Sequence, residues 1–486
     1  MRNLFFIFLV LSIEYTYGQS WKDKFDAYDY TRRLGQSLNL GNTLEAPREG
    51  DWGFRLQEWH FEEIAAGGFD AVRLPIRWSA HALDKAPYTI DTDFFERIDW
   101  VIDQAAAHQL AVVVDVHHYD EFNTDFSGHE ERFVELWRQI SDRYQHVPAH
   151  TLYYELLNEP HGQFTHRRWR NVAAQALEAI RETNPDRMVI VGGIDFNSVN
   201  ELARLRLPED DRNLIGTFHY YQPFRFTHQG AEWIAGSDDW LGTTWLDEPT
   251  ARESIPTDFD LATAWSQRFD RPVFLGEFGA YSTADMPSRG RWTEFVREEA
   301  ERRGFAWAYW EFAAGFGVMD RSTRQWIQPL YEALEPNALF DVDGDGRVNV
   351  TDLDLLGAGI VTGQSQAVYD LDGDGDIALR DLQYWVFFTG NNLGDADLDG
   401  TVDFADFVEL ANNFGERATW SGGDFDASGS VDFRDFVTLA QNFGATADLT
   451  AVTVPAPIGS SSWLIAVGGM FLLRTPGRRR CQILLV

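Results

Sequence analysis

Residues 152–160 read LYYELLNEP, a run with no polar alternation that ends in Asn158, Glu159 and a proline. A strand buried on both faces has this look, because a parallel sheet covered by helices leaves neither face to water. Seven more runs share the pattern: 37–43 (SLNLGNT), 69–76 (FDAVRLPI), 110–118 (LAVVVDVHH), 187–193 (RMVIVGG), 214–221 (LIGTFHYY), 272–279 (PVFLGEFG) and 305–312 (FAWAYWEF). Between them lie amphipathic stretches. Trp169, Val172, Ala173, Ala176, Leu177 and Ile180 recur at helical spacing behind a capping Thr165, and Phe133, Leu136, Trp137, Ile140 and Tyr144 do the same. Eight strands alternating with helices, with no GxGxxG and no P-loop, predict the α/β class and a (β/α)8 (TIM) barrel over residues 20–336. Catalytic groups of such a barrel sit where the strands end.

The 486 residues carry 41 Lys and Arg against 76 Asp and Glu, a net charge of -35. No basic cluster in the globular part could neutralise phosphates, so a nucleic-acid partner is excluded and a neutral or cationic substrate expected. The 18 Trp exceed what packing requires. The one cysteine, Cys481, permits no intrachain disulfide. Arg2, an apolar run over 4–13 and the small residues Thr16 and Gly18 predict a secretory signal peptide over 1–18.

Composition changes after Pro336: residues 341–448 hold 22 acidic and 4 basic side chains. Four related units start at Asp341, Asp370, Asp395 and Asp424, forming two pairs over 341–391 and 395–445. Each places carboxylates where an oxygen-rich calcium loop wants them, with Gly at the tight turn, and then runs into an apolar helix. The expected ligands are Asp341, Asp343, Asp345, Asn349 and Asp352 in the first unit, and Asp370, Asp372, Asp374 and Asp381 in the second. The third offers Asp395, Asp397, Asp399, Asp403 and Asp406; the fourth offers Asp424, Asp426, Ser428, Asp432 and Asp435, Ser428 making it the weaker site. Beyond these, VPAP precedes an apolar stretch over 458–473 and then Arg474, Arg478, Arg479 and Arg480, so 454–486 reads as a sorting signal or membrane anchor.

Two carboxylates stand out by position: Glu159 at the end of the fourth run and Glu277 at the end of the seventh. Cleaving a glycosidic bond needs one carboxyl group to protonate the leaving oxygen and a second to attack or to activate water. A glutamate at a strand end can equally be a structural ion pair, but these two have company. Arg73 ends the second run, His117 and His118 the third, His219 and Tyr221 the sixth, and Trp310 the eighth. Adjacent residues on a strand point to opposite faces, which sets aside a metal site at His117 and His118.

Taken together, LNLGNTLEAP, AVRLPIRW, HHY, LLNEPHG, HYYQPFRFTHQGAEW, GEFGAY and AYWEF resemble glycoside hydrolase family 5, the retaining endoglucanases and mannanases, over roughly residues 35–335. The resemblance implies Glu159 as acid/base, Asn158 on the sugar 2-hydroxyl, Glu277 as nucleophile contacted by Arg73 and Tyr221, and His117 and His219 as mouth histidines. It places Trp310 under the reactive sugar, and Asn42, Glu45, His118, His228 and Trp233 in neighbouring subsites. It implies a secreted endo-β-1,4-glucanase without a catalytic cofactor, acting on β-glucan, with a β-mannanase, a mixed enzyme and a non-catalytic carbohydrate-binding surface protein as alternatives. The acidic units resemble dockerin repeats, small EF-hand-like helical units with structural Ca2+ that dock on a cohesin or act as a spacer. The tail resembles an exosortase-type signal with VPAP in place of VPEP, implying a cell-surface or membrane-anchored protein.

Overall fold

The computed structural model describes residues 25–246 and 249–447, so the signal-peptide, sorting-tail and Cys481 readings lie outside the described residues. Eight parallel strands close a barrel in sequence order: β1 (Gln36–Asn39), β2 (Ala71–Leu74), β3 (Ala111–Asp115), β4 (Leu152–Glu155), β5 (Val189–Gly192), β6 (Leu214–Tyr220), β7 (Val273–Phe278) and β8 (Ala306–Tyr309). β1 completes the ring by pairing β2 through Ser37 and Ala71 and β8 through Ser37 and Ala308. All eight predicted runs are strands. They are shorter than the runs, because several of the polar ends belong to loops.

The two-residue period of a strand sorts side chains between the barrel interior and the surrounding helices. Val72, Leu74, Val112, Val114, Tyr154, Val189 and Val191 pack outward in the main core, while Ala71, Ala111, Val113, Tyr153, Ile190, Ile215 and Phe274 form a separate inner cluster. Asn39, Arg73, Asp115 and Glu155 share the inward parity and are buried. They make a polar layer directly beneath the mouth.

One strand breaks its parity. The registers β6–β7 and β7–β8 shift between Leu275 and Phe278, with His219 opposite Glu277. Gly276 is the extra residue; such a bulge re-aims the side chain that follows, so Glu277 faces inward.

The amphipathic stretches fold as read: helix Phe126–Arg143 buries Phe133, Leu136, Trp137 and Ile140, and helix His166–Arg181 starts at Thr165, whose side chain accepts the Arg168 N–H. Trp137, Trp169 and Trp265 are core, each indole N–H donating to a backbone carbonyl at 3.0, 2.8 and 3.1 Å. Helix Ala27–Leu34 plugs the barrel base, with Ala27 and Leu34 in the inner cluster.

Residues 340–445 form four loop–helix units with helices Val350–Thr362, Leu379–Phe388, Phe404–Asn413 and Phe433–Asn442 around a second core that includes Leu353, Leu382, Trp385, Leu410, Trp420 and Leu439. In each loop the leading aspartate accepts the N–H of a glycine five residues on, at 2.7–3.1 Å, and that glycine has φ of 83–92°, where a side chain is strained. The closing aspartate accepts backbone N–H groups near the helix start. No helix among the described residues is long and apolar enough to cross a membrane.

Arg187, just before β5, is buried and donates to the carbonyls of Tyr144, Val147, Pro148 and Leu152, tying the connection that feeds β4 to the start of β5. Arg187→Met removes a donor from four carbonyls, of which Tyr144 O and Pro148 O keep a backbone N–H, and should cost about 3 kcal/mol of stability, measured by denaturant unfolding; a cost below 1 kcal/mol would contradict this role.

Candidate active site

The polar layer is organised around Arg73. Its Nε and Nη2 donate to the two Glu155 oxygens at 2.7 and 2.9 Å, and Nη1 donates to Glu277 Oε1 at 2.7 Å and Asn39 Oδ1 at 2.9 Å. Nη2 also reaches Asn158 Oδ1 at 3.0 Å and lies 2.8 Å from Asp115 Oδ2. Sequence reading singled out Arg73, Asn158 and Glu277 but passed over Asp115, Glu155 and Asn39. The missed signal was parity: each shares the inward side of its strand with the residue two before it.

Glu277 receives a second donor, Tyr221 Oη, at 2.9 Å on Oε2. Across the mouth, Glu159 pairs through Oε1 with His219 Nδ1 at 2.8 Å, and that nitrogen lies 3.5 Å from Glu277 Oε2. One oxygen from each carboxyl group and a His219 ring nitrogen all lie within 4.8 Å of one another. Glu159 does not end β4; it sits four residues beyond Glu155 with φ 50°, in the left-handed region that L residues seldom adopt. This turn carries it over the mouth.

Burial raises both carboxyl groups. Glu159 is pushed up to about 7, with Arg73 and His161 pulling against burial and Glu155 adding to it. Burial also raises Glu277, while His219, Arg73 and the Tyr221 hydrogen bond oppose the rise. Burial, then Arg73 and His219, hold His117 well below its usual range, so it is neutral; its Nδ1 lies 2.8 Å from Asp115 Oδ2.

Above this layer opens a cleft of about 970 Å³ lined by eleven of the expected residues: Asn42, Glu45, His117, His118, Asn158, Glu159, Tyr221, His228, Trp233, Glu277 and Trp310. Arg73 and His219 lie beneath it. His117 stacks on Trp310 at 5.6 Å with ring planes 6° apart. His117 and His118 do not point to opposite faces of a strand, as alternation predicts: both follow the end of β3 and both line the cleft, with ring centroids 4.8 Å apart.

Glu45 is buried, and its oxygens accept the backbone N–H groups of Asn42 and Thr43, so its carboxyl shapes the loop that presents Asn42. Glu311 acts similarly after β8, accepting the N–H of Ala314 and Phe316 at 2.9 and 3.2 Å and shaping a cleft wall. Trp52, Glu232, Tyr281, Phe316 and Arg321 also line the cleft and were not singled out from sequence. Trp52 and Trp233 expose 43% and 60% of their surface, so both present rings to solvent rather than to the core.

In the acidic loops the structure gathers Asp341 with Asp343 and Asp352, Asp370 with Asp372 and Asp374, Asp395 with Asp397 and Asp399, and Asp424 with Asp426 and Asp435, each set within 4.8 Å. Asp345 accepts the Arg347 N–H, and Asp381 and Asp406 brace their loops through backbone N–H groups. Ser428 Oγ donates to Ser430 O at 3.0 Å. Asn349, Asp403 and Asp432, expected as ligands, cap their helices by accepting the N–H two residues on. Asp395 is fully buried, and its Oδ1 has no hydrogen-bond partner, nor has Asp370 Oδ1. An unpaired buried carboxylate oxygen facing other carboxylates fits a hard cation.

Comparison with known proteins places this geometry. The cellulase (glycosyl hydrolase family 5) model matches residues 41–315. Endoglucanase H of Acetivibrio thermocellus is 37% identical over 316 residues, 64% of this chain and 33% of that protein. Cellulase/esterase CelE of the same organism is 26% identical and matched over 47% of its length, so the chain spans a third to about half of these relatives. Among solved structures, Thermotoga maritima Cel5A in complex with mannotriose aligns at 45% identity and a TM-score of 0.62, covering 64% of this chain and all of that one. The same protein in complex with cellobiose gives the same values.

Gly276 has no room for a side chain: a Cβ there would lie 2.9 Å from Thr217 Oγ1 and 3.0 Å from His219 Nε2. Gly276→Ala should shift His219 and Glu277 together and lower kcat by roughly 10- to 100-fold with the far-UV spectrum unchanged; wild-type kcat would refute the bulge's role.

Proposed function

This chain belongs to glycosyl hydrolase family 5, and from that premise we propose that it is a retaining endo-β-1,4-glucanase. The observation that carries the reading is the approach of the Glu159 and Glu277 oxygens to within 4.8 Å. A pair about 5 Å apart suits double displacement, whereas inversion needs several ångströms more for a water. Glu277, served by Arg73 and Tyr221, is the nucleophile: its oxygen bonds to the anomeric carbon while Glu159 passes its proton to the departing glycosidic oxygen. Glu159, now a carboxylate, takes a proton from the water that cleaves the glycosyl ester, which regenerates both groups and retains configuration. No cofactor enters the chemistry. His219 holds Glu159 in place, and His117 backs the Trp310 platform, whose indole face suits the apolar C–H face of a pyranose. Asn158, oriented by Arg73, offers its amide to the 2-hydroxyl, and Asn42, His118, His228 and Trp233 line the flanking subsites.

The second reading is a mixed glucanase and mannanase. The similarity to a Thermotoga enzyme solved with both cellobiose and mannotriose favours it. Reducing-sugar release from a soluble β-1,4-glucan and a β-1,4-mannan by the full chain distinguishes the two.

The acidic units we read as dockerin-like calcium repeats, with Asp341, Asp370, Asp395 and Asp424 opening the loops; bound calcium would neutralise carboxylates that otherwise repel one another. A cohesin-type partner would find its apolar face on the second pair, where Phe404, Phe414, Phe433 and Phe443 are exposed among acidic side chains. Residues 1–18 and 454–486 support secretion and surface anchoring through the membrane.

Glu277→Gln should lower turnover by about 10³-fold or more while leaving polysaccharide binding intact; full residual activity would overturn the assignment. Glu159 must be protonated to act as an acid, so kcat/KM should fall as pH rises through about 7. Glu159→Ala, assayed on an aryl glycoside whose leaving group needs no proton, should lose that alkaline limb; its persistence would assign the limb to another group.

A further inference from the structure

We infer that the second acidic unit is a brace for the barrel, so that calcium binding in the loop 370–381 is thermodynamically coupled to barrel stability; this rests on the calcium reading above. Helix Ala27–Leu34 has two working sides. One plugs the barrel base: Arg33 Nη1 donates to Asp70 O at 2.9 Å, and Tyr153 Oη donates to Tyr30 O at 2.8 Å. The other grips the second unit: Arg32 Nε and Nη2 donate to the loop carbonyls of Leu371 and Asp370 at 2.6 and 3.0 Å. Arg380 Nη2 bridges to both Asp29 oxygens at 3.0 Å, while its Nε donates to Asp372, one of the loop carboxylates. Tyr384 Oη donates to Asp29 O at 2.8 Å, and Phe25 stacks on Phe387 at 4.9 Å.

The chain of contacts therefore runs from a loop carboxylate, Asp372, through Arg380 to Asp29, whose side chain caps the plug helix by accepting the Asp26 N–H at 2.8 Å.

The repeats themselves show that this is particular to the second unit. Arg380, Tyr384, Phe387 and Phe388 fall on one helical stripe. The same offsets from the leading aspartate carry Ala405, Glu409, Asn412 and Asn413 in the third unit, and Arg434, Thr438, Gln441 and Asn442 in the fourth. In the first unit these offsets carry Thr351, Leu355, Ala358 and Gly359, so the arginine and aromatic set stands only in the second unit, and the hydrogen bonds of the last two units run within the repeats. A ligand that binds only the folded loop must stabilise whatever folds with it.

The test uses the full chain and calcium alone. Calorimetric titration reports binding, and near-UV circular dichroism reports melting of the barrel. Calcium should raise the barrel transition by about 3–6 °C. Asp374→Ala, in the second loop but clear of the plug helix, should abolish that rise, whereas Asp399→Ala in the third should leave it. Arg32→Met should weaken one calcium site without lowering activity at 25 °C. If calcium binds and the barrel transition does not move, or if Asp374→Ala and Asp399→Ala lose the rise equally, the coupling is refuted and the calcium reading stands. If calcium does not bind at all, the calcium reading falls and the coupling with it.

Discussion

Everything in the mouth depends on one buried cation. Arg73 is enclosed, and a guanidinium taken out of water without partners would be prohibitive. Asp115, Glu155 and Glu277 supply the charge, and Asn39 and Asn158 complete its hydrogen bonds. Three carboxylates around one cation leave negative charge in surplus, and Glu159 adds a fourth carboxyl group to the same region. Burial opposes ionisation here, lifting Asp115 to about 6 and Glu159 to about 7 against the pull of Arg73, with Glu155 adding to the rise at Glu159. A carboxyl group that keeps its proton near neutrality and another held by Arg73 and Tyr221 thus follow from one buried layer.

The sequence made the strands and their order legible because buried parallel strands leave long apolar runs that few other structures produce. The site was legible only in part. Glu159, Glu277, His219 and Tyr221 stood at the ends of runs and could be picked out; Asp115 and Glu155 stood inside such runs and needed the two-residue period counted from Arg73. The facing of Glu277 could not be read that way at all. Alternation from Phe274 points it outward, and only the bulge at Gly276, a product of register against β6 and β8, turns it in.

The acidic units show the same division. Spacing located the loops, because in each unit a leading aspartate and a glycine five residues on close the same turn. Spacing also proposed Asn349, Asp403 and Asp432 as ligands; in the structure each accepts a backbone N–H at its helix start, where unpaired N–H groups compete for such side chains. The grip of Arg32 and Arg380 across the barrel base joins residues some 340 positions apart. Nothing local in either segment announces it.

The two ends of the barrel therefore carry different burdens. At the base, long-range contacts fix the plug helix and the second unit into one body, as the stability face of such a barrel requires. At the mouth, the central carboxyl groups are engaged, Glu277 by Arg73 and Tyr221, Glu159 by His219, and Glu45 by the N–H groups of its own loop, while Glu232 and Arg321 also line the cleft. What remains for a ligand is mainly rings and amides, with Trp52, Trp233 and Trp310 spread along an open cleft. A surface of that kind gains little from a charged substrate and much from an extended neutral chain with flat apolar faces and hydroxyl edges, which is the shape of a β-1,4-linked polysaccharide.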